Sequence, residues 1–186
     1  MKFDFDQRKQ QLRRIALVSG LFMMVAAMLT IVLIQISGYA GTTEDTQLGF
    51  NAETIRNYFS LMSPADMGLF IAANFADYLF ILLYGIFFFS AARLISWNYK
   101  IGLPKRIGLS LAWVGVIAAV LDGIENVFLL SMTADPVGFA GWLAIAHSSF
   151  ALAKFLFIYV AMAWTMVGFV VNRTPLATHL MSIQIV

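Results

Sequence analysis

Four long apolar segments, separated by shorter polar stretches, dominate the pattern of hydrophobic and polar positions along this chain of 186 residues. A helix needs about 20 apolar residues to cross a hydrocarbon core of about 30 Å. Each segment is long enough, so the pattern predicts transmembrane helices over residues 15–36, 67–91, 107–132 and 142–171. Short connections favour a single integral membrane domain over residues 1–186, folded as an all-α four-helix bundle.

The connection between the first two segments has its own periodicity. Its apolar residues recur at helical spacing, opposite a polar face, as in an amphipathic helix. We predict a short helix over about residues 51–62, lying in the outer interface or packed against neighbouring spans. The apolar positions are Ile55, Tyr58, Phe59 and Met62.

Two capping signals predict where spans begin. Ser63-Pro64-Ala65-Asp66 supplies an N-cap, a proline at the first helical position and an acid in the first turn, so the second span should begin there. Asp135-Pro136 gives a similar signal for the fourth span.

Composition excludes an ordinary soluble domain, because 61% of the residues are hydrophobic and only 12% are charged. The basic residues are few and lie beside the ends of the spans, so they do not indicate nucleic-acid binding. Cysteine is absent, which excludes disulfides and thiolate metal sites.

The distribution of lysine and arginine predicts the orientation of the spans. The first connection is mainly acidic, with a single Arg56, and the third has Asp135 but no basic residue. We expect both termini to be cytoplasmic, with the bacterial inner membrane as the compartment. The basic residues on the cytoplasmic side are Lys2, Arg8, Lys9, Arg13, Arg14, Arg93, Lys100, Lys105, Arg106 and Arg173.

The first apolar segment is expected to stay as an uncleaved span. A secretory signal has an apolar region of roughly 7 to 15 residues, and residues 15–36 exceed that length.

Internal similarity suggests a parallel tandem repeat of two helical hairpins. Residues 13–17 align with 105–109, and residues 76–81 align with 153–158. Matched spans would cross in the same direction, related by an axis along the membrane normal. This repeat would make Asp77 equivalent to Lys154, although apolar sequences also align by chance.

Four ionisable residues lie deep inside the apolar segments. A charge at the bilayer centre costs roughly 2.5 to 3.5 kcal/mol on insertion scales, so such groups usually face protein and mark function. At about 1.5 Å per residue, three of them share a layer roughly 4 Å to the outer side of the span centres. We take Asp77, Asp122, Glu125 and Lys154 as candidate catalytic residues.

Further polar residues share helix faces with these charges, because they recur at i, i+3, i+4 or i+7 spacing. The resulting polar stripes of the second, third and fourth spans can converge on one cavity that opens outward. We take Asn74, Tyr78, Asn126 and His147 as candidate ligand-binding residues.

Charge counting constrains the chemistry of this predicted site. Three carboxyl groups facing one ammonium leave a formal excess of two negative charges, which a low-dielectric interior opposes. A retained proton, a cationic His147, or a bound cation or amine would compensate. Lys154 would repel a metal ion from the same layer, so metal binding is the weaker interpretation, and no cofactor is assigned.

Three functions fit these features. The favoured one is binding of a small amphiphilic or lipid-derived ligand, with acid–base catalysis by the buried charges. The second is a proton-coupled transporter or transporter subunit, which the almost wholly apolar inner halves of the spans disfavour. The third is a structural subunit of a membrane complex whose charges fix helix pairing. The expected partners are the bilayer, the ligand, and another copy of the chain or a membrane complex.

Overall fold

The computed structural model describes residues 2–99 and 102–171, with the side chains of residues 2–4 left out. The described part contains six helices and no strand: α1 (Lys2–Ile36), α2 (Thr43–Gln47), α3 (Ala52–Ser60), α4 (Pro64–Trp97), α5 (Leu103–Thr133) and α6 (Gly141–Val171). The four long helices are each apolar enough to cross a membrane. The prediction of an all-α integral membrane protein built as a four-helix bundle is confirmed.

The start of α4 follows the predicted capping signal. The Ser63 hydroxyl accepts a hydrogen bond from the Asp66 backbone N–H at 3.2 Å, and the Asp66 carboxylate accepts one from the Ser63 N–H at 3.2 Å. Pro64 occupies the first helical position, where its missing N–H is not needed. The long helices also extend beyond the predicted apolar spans, because polar residues in water continue a helix as readily as apolar ones.

The predicted start of the fourth span at Asp135-Pro136 is wrong, because α6 begins at Gly141. The Asp135 carboxylate instead accepts a hydrogen bond from the Gly138 N–H at 3.0 Å. It therefore caps a single turn. That turn places Phe139, which is only 4% exposed, in the core.

The first connection contains two helices instead of one. The α2 helix is polar and has no apolar periodicity, so the sequence pattern did not reveal it. The α3 helix is shorter than predicted and buries Ile55 and Phe59 against protein, where it packs on α6. We call the end of the bundle that carries α2 and α3 its outer end, after the orientation predicted from the sequence. These two side chains join a core cluster there, together with Phe70, Leu129, Met132, Phe139 and Ala144.

The packing of the long helices is centred on α4. Helix α1 packs along α4, α5 packs on both α4 and α6, and α4 approaches α6 less extensively. A twofold axis relating two hairpins would require α1 to pack on α6 as closely as α4 packs on α5, and it does not. The packing thus gives the tandem repeat no support, and the repeat stays a prediction from sequence.

The amino-terminal part of α1 lies beside the end of α4, since the Lys9 ammonium donates to the Asn98 side-chain oxygen at 2.8 Å. Two predicted basic clusters are therefore at the same end of the bundle. Lys100, Arg173 and the side chain of Lys2, which also entered the orientation prediction, lie outside the described residues.

Candidate functional site

Lys154 of α6 forms ion pairs with two carboxylates of α5. Its ammonium nitrogen lies 2.7 Å from Asp122 Oδ1 and 2.5 Å from Glu125 Oε2. The first contact is also a hydrogen bond, whereas the second is close but poorly aligned for one. Asp122 and Glu125 are three residues apart, so both project from one face of α5 towards α6.

Two further residues complete this group. The Tyr84 hydroxyl of α4 donates to Asp122 Oδ2 at 3.0 Å. His147 Nδ1 lies 3.3 Å from the Glu125 carbonyl oxygen and 3.8 Å from Glu125 Oε1. We call Tyr84, Asp122, Glu125, His147 and Lys154 the ion cluster, and none of them is more than 5% exposed.

Tyr84 is a member that the sequence-based site did not include. It follows Asp77 by seven residues, so helical spacing already placed it on the polar stripe of α4. Tyrosine is also common as an apolar filler, and only its contact with Asp122 in the structure shows that its hydroxyl takes part in the ion cluster.

Asp77 lies apart from the ion cluster. Its carboxylate Oδ2 accepts a hydrogen bond from the Asn126 amide at 2.8 Å, and its side chain is only partly buried. The residue that the repeat made its equivalent, Lys154, pairs with α5 instead. The reason is helix packing, because α6 lies along α5 and touches α4 over a shorter length.

A small cavity separates Asp77 from the outer connection. This outer cavity has a volume of about 150 Å³ and lies between the outer ends of α1, α4 and α5, under a roof formed by α2 and the residues before it. Most of its lining side chains carry a polar atom. Those used below are Thr30, Tyr39, Thr46, Asn74, Asp77 and Asn126.

An apolar groove follows the same three long helices further inward. This lateral groove has a volume of about 700 Å³, and nearly all of its wall is apolar. Gly85 and Gly123 line it. A Cβ at Gly85 would lie 3.0 Å from Ala119 Cβ, so this glycine lets α4 approach α5 closely, whereas a Cβ at Gly123 would have room beside Tyr78. Leu12, Ile15, Ile81, Phe89, Trp113 and Val120 also contribute to its walls.

Tyr78 stands where the outer cavity and the lateral groove come closest along α4. It lines the groove, follows Asp77 of the cavity directly, and its hydroxyl donates to the Gly123 carbonyl at 3.2 Å. It thus links α4 to α5 at the boundary between polar and apolar surface.

The other predicted ligand-binding residues divide between the outer cavity and the ion cluster. Asn74 and Asn126 line the outer cavity. His147, which the sequence placed near the outer interface, is fully buried in the ion cluster. The polar residues predicted to share one cavity therefore occupy two adjoining environments.

The roof of the outer cavity is held by side-chain contacts. Tyr39 and Thr46 share a hydrogen bond between their hydroxyl oxygens at 2.9 Å, and the Tyr58 hydroxyl donates to Asp45 at 2.8 Å. Burial raises the pKa of Tyr39 to about 12, so its hydroxyl keeps its proton at neutral pH. Arg56 donates to the Phe139 carbonyl at 2.6 Å and ties α3 to the turn before α6.

The acidic and histidine side chains do not form a metal centre. Within residues 2–99 and 102–171, no three of them are arranged to hold a metal ion. The carboxylates of the ion cluster already surround the Lys154 ammonium, which occupies the place where a cation would bind.

Comparison of this chain with family models, with curated proteins and with solved structures finds no match. Its function is therefore argued from the chemistry of the ion cluster, the outer cavity and the lateral groove.

Proposed function

We propose that this protein binds a small amphiphilic or lipid-derived molecule, with its polar head in the outer cavity and its apolar part in the lateral groove. The observation that supports this most strongly is the succession of the two sites. A polar cavity containing Asp77 and an apolar groove are lined by the same three helices, α1, α4 and α5.

The sizes of the two sites suit such a molecule. Sites for organic ligands usually measure about 300 to 1,000 Å³. The outer cavity, at about 150 Å³, holds only a small head group, whereas the lateral groove, at about 700 Å³, takes a chain. A ligand that uses both would bury its chain beside lipid and its head beneath α2.

Within this proposal, Asp77 is the residue placed for acid–base chemistry on the bound molecule. Both oxygens of Asp122 have partners in Lys154 and Tyr84, and Glu125 is paired with Lys154. Asp77 is the one of the four candidate catalytic residues that lines the outer cavity. The ion cluster then serves to hold α4, α5 and α6 together beside the binding site.

Proton-coupled transport has less support. A proton path would need polar groups continuing inward from the ion cluster. The buried hydroxyls of Ser19 and Ser96 instead donate to carbonyls of their own helices, at 2.7 and 2.6 Å. These contacts favour binding over proton transport.

We also propose the bacterial inner membrane as the compartment, with both termini cytoplasmic and the outer cavity facing away from the cytoplasm. The basic residues near the start of α1 and the end of α4 and the acidic outer connection support this orientation. Because the chain has no cysteine, Gln10→Cys and Asn57→Cys provide unique labels. In intact cells, a membrane-impermeant maleimide should label only Asn57→Cys, and labelling of Gln10→Cys alone would reverse the orientation.

The binding proposal is tested by identifying the molecules that copurify with the protein in lipid nanodiscs, using mass spectrometry. Gly123→Leu should fill the lateral groove without a backbone clash, since a methyl group at Gly123 would lie 3.8 Å from its nearest neighbour, Tyr78 Cε1. Val127→Leu, at a position that is 53% exposed on the same helix, is the matched control.

We expect a specific amphiphile to be enriched with wild type and with Val127→Leu, and to be lost from Gly123→Leu. If all three proteins carry the same bulk lipids in the same proportions, binding in the lateral groove is excluded. The ion cluster would then be left with a purely structural role.

A further inference from the structure

We infer that the head group recognised in the outer cavity is a primary ammonium, so that the ligand is a cationic amphiphile. This inference rests on the proposed function and gives its ligand a chemical class.

Two side chains of the cavity, Asp77 and Asn74, have an acceptor oxygen left over from their contacts with protein. Asp77 uses Oδ2 for Asn126, and this leaves its second carboxylate oxygen for a ligand. Asn74 donates its amide to the Phe70 carbonyl at 2.8 Å, so its side-chain oxygen is available as an acceptor. A ligand head that donates hydrogen bonds fits this set.

Thr30 gives an independent indication of a bound group. It lines the same cavity, is only 7% exposed, and its hydroxyl has no hydrogen-bond partner among the described residues. A buried hydroxyl without a partner is costly, and a polar ligand would satisfy it.

The charge of the cavity has one sign. None of the described residues that line it is a lysine, arginine or histidine, so the charge of Asp77 is not balanced within the lining. Tyr39 stays neutral because burial raises its pKa to about 12. A cation is therefore the complementary head group.

The approach to the cavity has the same sign. Glu44 and Asp45 stand in the first turn of α2, next to the threonines that roof the cavity. The basic residue of this connection, Arg56, is held over the Phe139 ring, at 4.9 Å from its centroid. Clustered negative charge raises the local concentration of cations.

Geometry favours a primary ammonium over a quaternary one. A primary ammonium carries three N–H donors, and oxygen-bearing side chains line the cavity from two helices: Asp77 and Asn74 from α4, and Thr30 from α1. A quaternary ammonium has no donor. The rings of Tyr39 and Phe70, with centroids 4.6 Å apart, form an aromatic wall that also attracts a cation.

The test uses the full-length protein in zwitterionic nanodiscs and radiolabelled dodecylamine as the probe, with empty nanodiscs to subtract partitioning into lipid. Dodecanol, dodecyltrimethylammonium and dodecyl sulfate are competitors that share the chain and differ in the head. Unlabelled dodecylamine should compete at least about tenfold better than each of them, a ratio typical of a gained charge-assisted hydrogen bond.

Two variants test whether the ammonium group of dodecylamine contacts Asp77 and Thr30. Asp77→Asn should weaken dodecylamine binding about tenfold and leave dodecanol binding unchanged. Thr30→Val keeps the shape of the side chain and should weaken dodecylamine binding by a smaller factor. Circular dichroism of each variant shows that it is folded.

The outcomes separate the two proposals. Equal competition by dodecanol, or undiminished dodecylamine binding to folded Asp77→Asn and Thr30→Val, overturns the ammonium assignment. Equal competition by dodecyltrimethylammonium overturns the requirement for N–H donors. If Gly123→Leu still abolishes dodecanol binding in these cases, the proposed function stands; if no probe responds to Gly123→Leu, both proposals fail.

Discussion

The ion cluster and the outer cavity share helices α4 and α5, yet their charged groups have different partners. In the ion cluster, Lys154 contacts two carboxylates, and Tyr84 occupies the remaining oxygen of Asp122. In the outer cavity, Asp77 has one amide partner and faces open volume. A buried charge whose partners are all protein groups stabilises helix packing, whereas one that faces a cavity can recognise a ligand.

The same comparison accounts for part of the formal excess of negative charge that three carboxyl groups and one ammonium leave within the spans. Lys154 offsets one of the two carboxylate charges of the ion cluster, Tyr84 donates to Asp122, and His147 lies against the Glu125 carbonyl oxygen. The Asp77 carboxylate accepts from Asn126, which is not part of the ion cluster, and it lines the outer cavity. A bound cation there would reduce the negative excess of the whole region.

The largest effect on stability is expected from removing the Lys154 ammonium of the ion cluster. Lys154→Met leaves Asp122 and Glu125 buried without their partner, which should lower the free energy of unfolding by about 3 to 5 kcal/mol. The measurement is denaturant unfolding in detergent micelles, followed by circular dichroism. Leu152→Met, at a position that is 47% exposed on the same helix, is the control.

Neutralising the partners as well should recover most of that loss. In the triple variant Lys154→Met, Asp122→Asn, Glu125→Gln, no charge is left buried alone. If Lys154→Met is as stable as Leu152→Met, the ion cluster does not hold the helices together.

A milder change removes one hydrogen bond from the ion cluster. Tyr84→Phe leaves Asp122 Oδ2 without its donor and should cost about 1 to 3 kcal/mol of unfolding free energy. The same denaturation measurement applies. Tyr159→Phe, at a position that is 63% exposed, should change stability little, and equal effects of the two variants would contradict the role of Tyr84.

Neutralising the carboxylate of the outer cavity should change ligand binding strongly and stability little. Asp77→Asn keeps an oxygen that can accept from Asn126, so the unfolding free energy should change by less than about 1 kcal/mol. Dodecylamine binding should nevertheless weaken about tenfold. If Asp77→Asn lowers the free energy of unfolding as much as Lys154→Met does, Asp77 is a structural charge, and the two regions do not differ in role.

The smallest expected effect concerns the roof of the cavity at high pH. Burial raises the pKa of Tyr39 from about 10 to about 12, so the folded roof favours the neutral phenol. Its contribution to stability is present below pH 10 and is lost as the pH rises through about 12. The difference in ultraviolet titration between wild type and Tyr39→Phe should show a phenol that ionises near pH 12, and ionisation near pH 10 would contradict the buried position.

The elements of the fold were largely predictable because their signals are local. Apolar length predicted the four long helices, and Ser63 with Asp66 predicted the beginning of α4. The signal at Asp135 was misleading because the same carboxylate can cap a helix or a single turn, and here it accepts a hydrogen bond from the Gly138 N–H within a turn. The α2 helix was missed because five polar residues carry no periodic signal.

The sequence by itself determined that Asp77, Asp122, Glu125 and Lys154 lie within the long apolar spans, since apolar neighbours and helical spacing are properties of the chain alone. It could not determine their partners. Lys154 reaches Asp122 and Glu125 because α6 packs along α5, and Asp77 faces a cavity because α1, α4 and the roof leave space beside it. Pairing and open volume depend on distances between helices, and only the tertiary structure sets those distances.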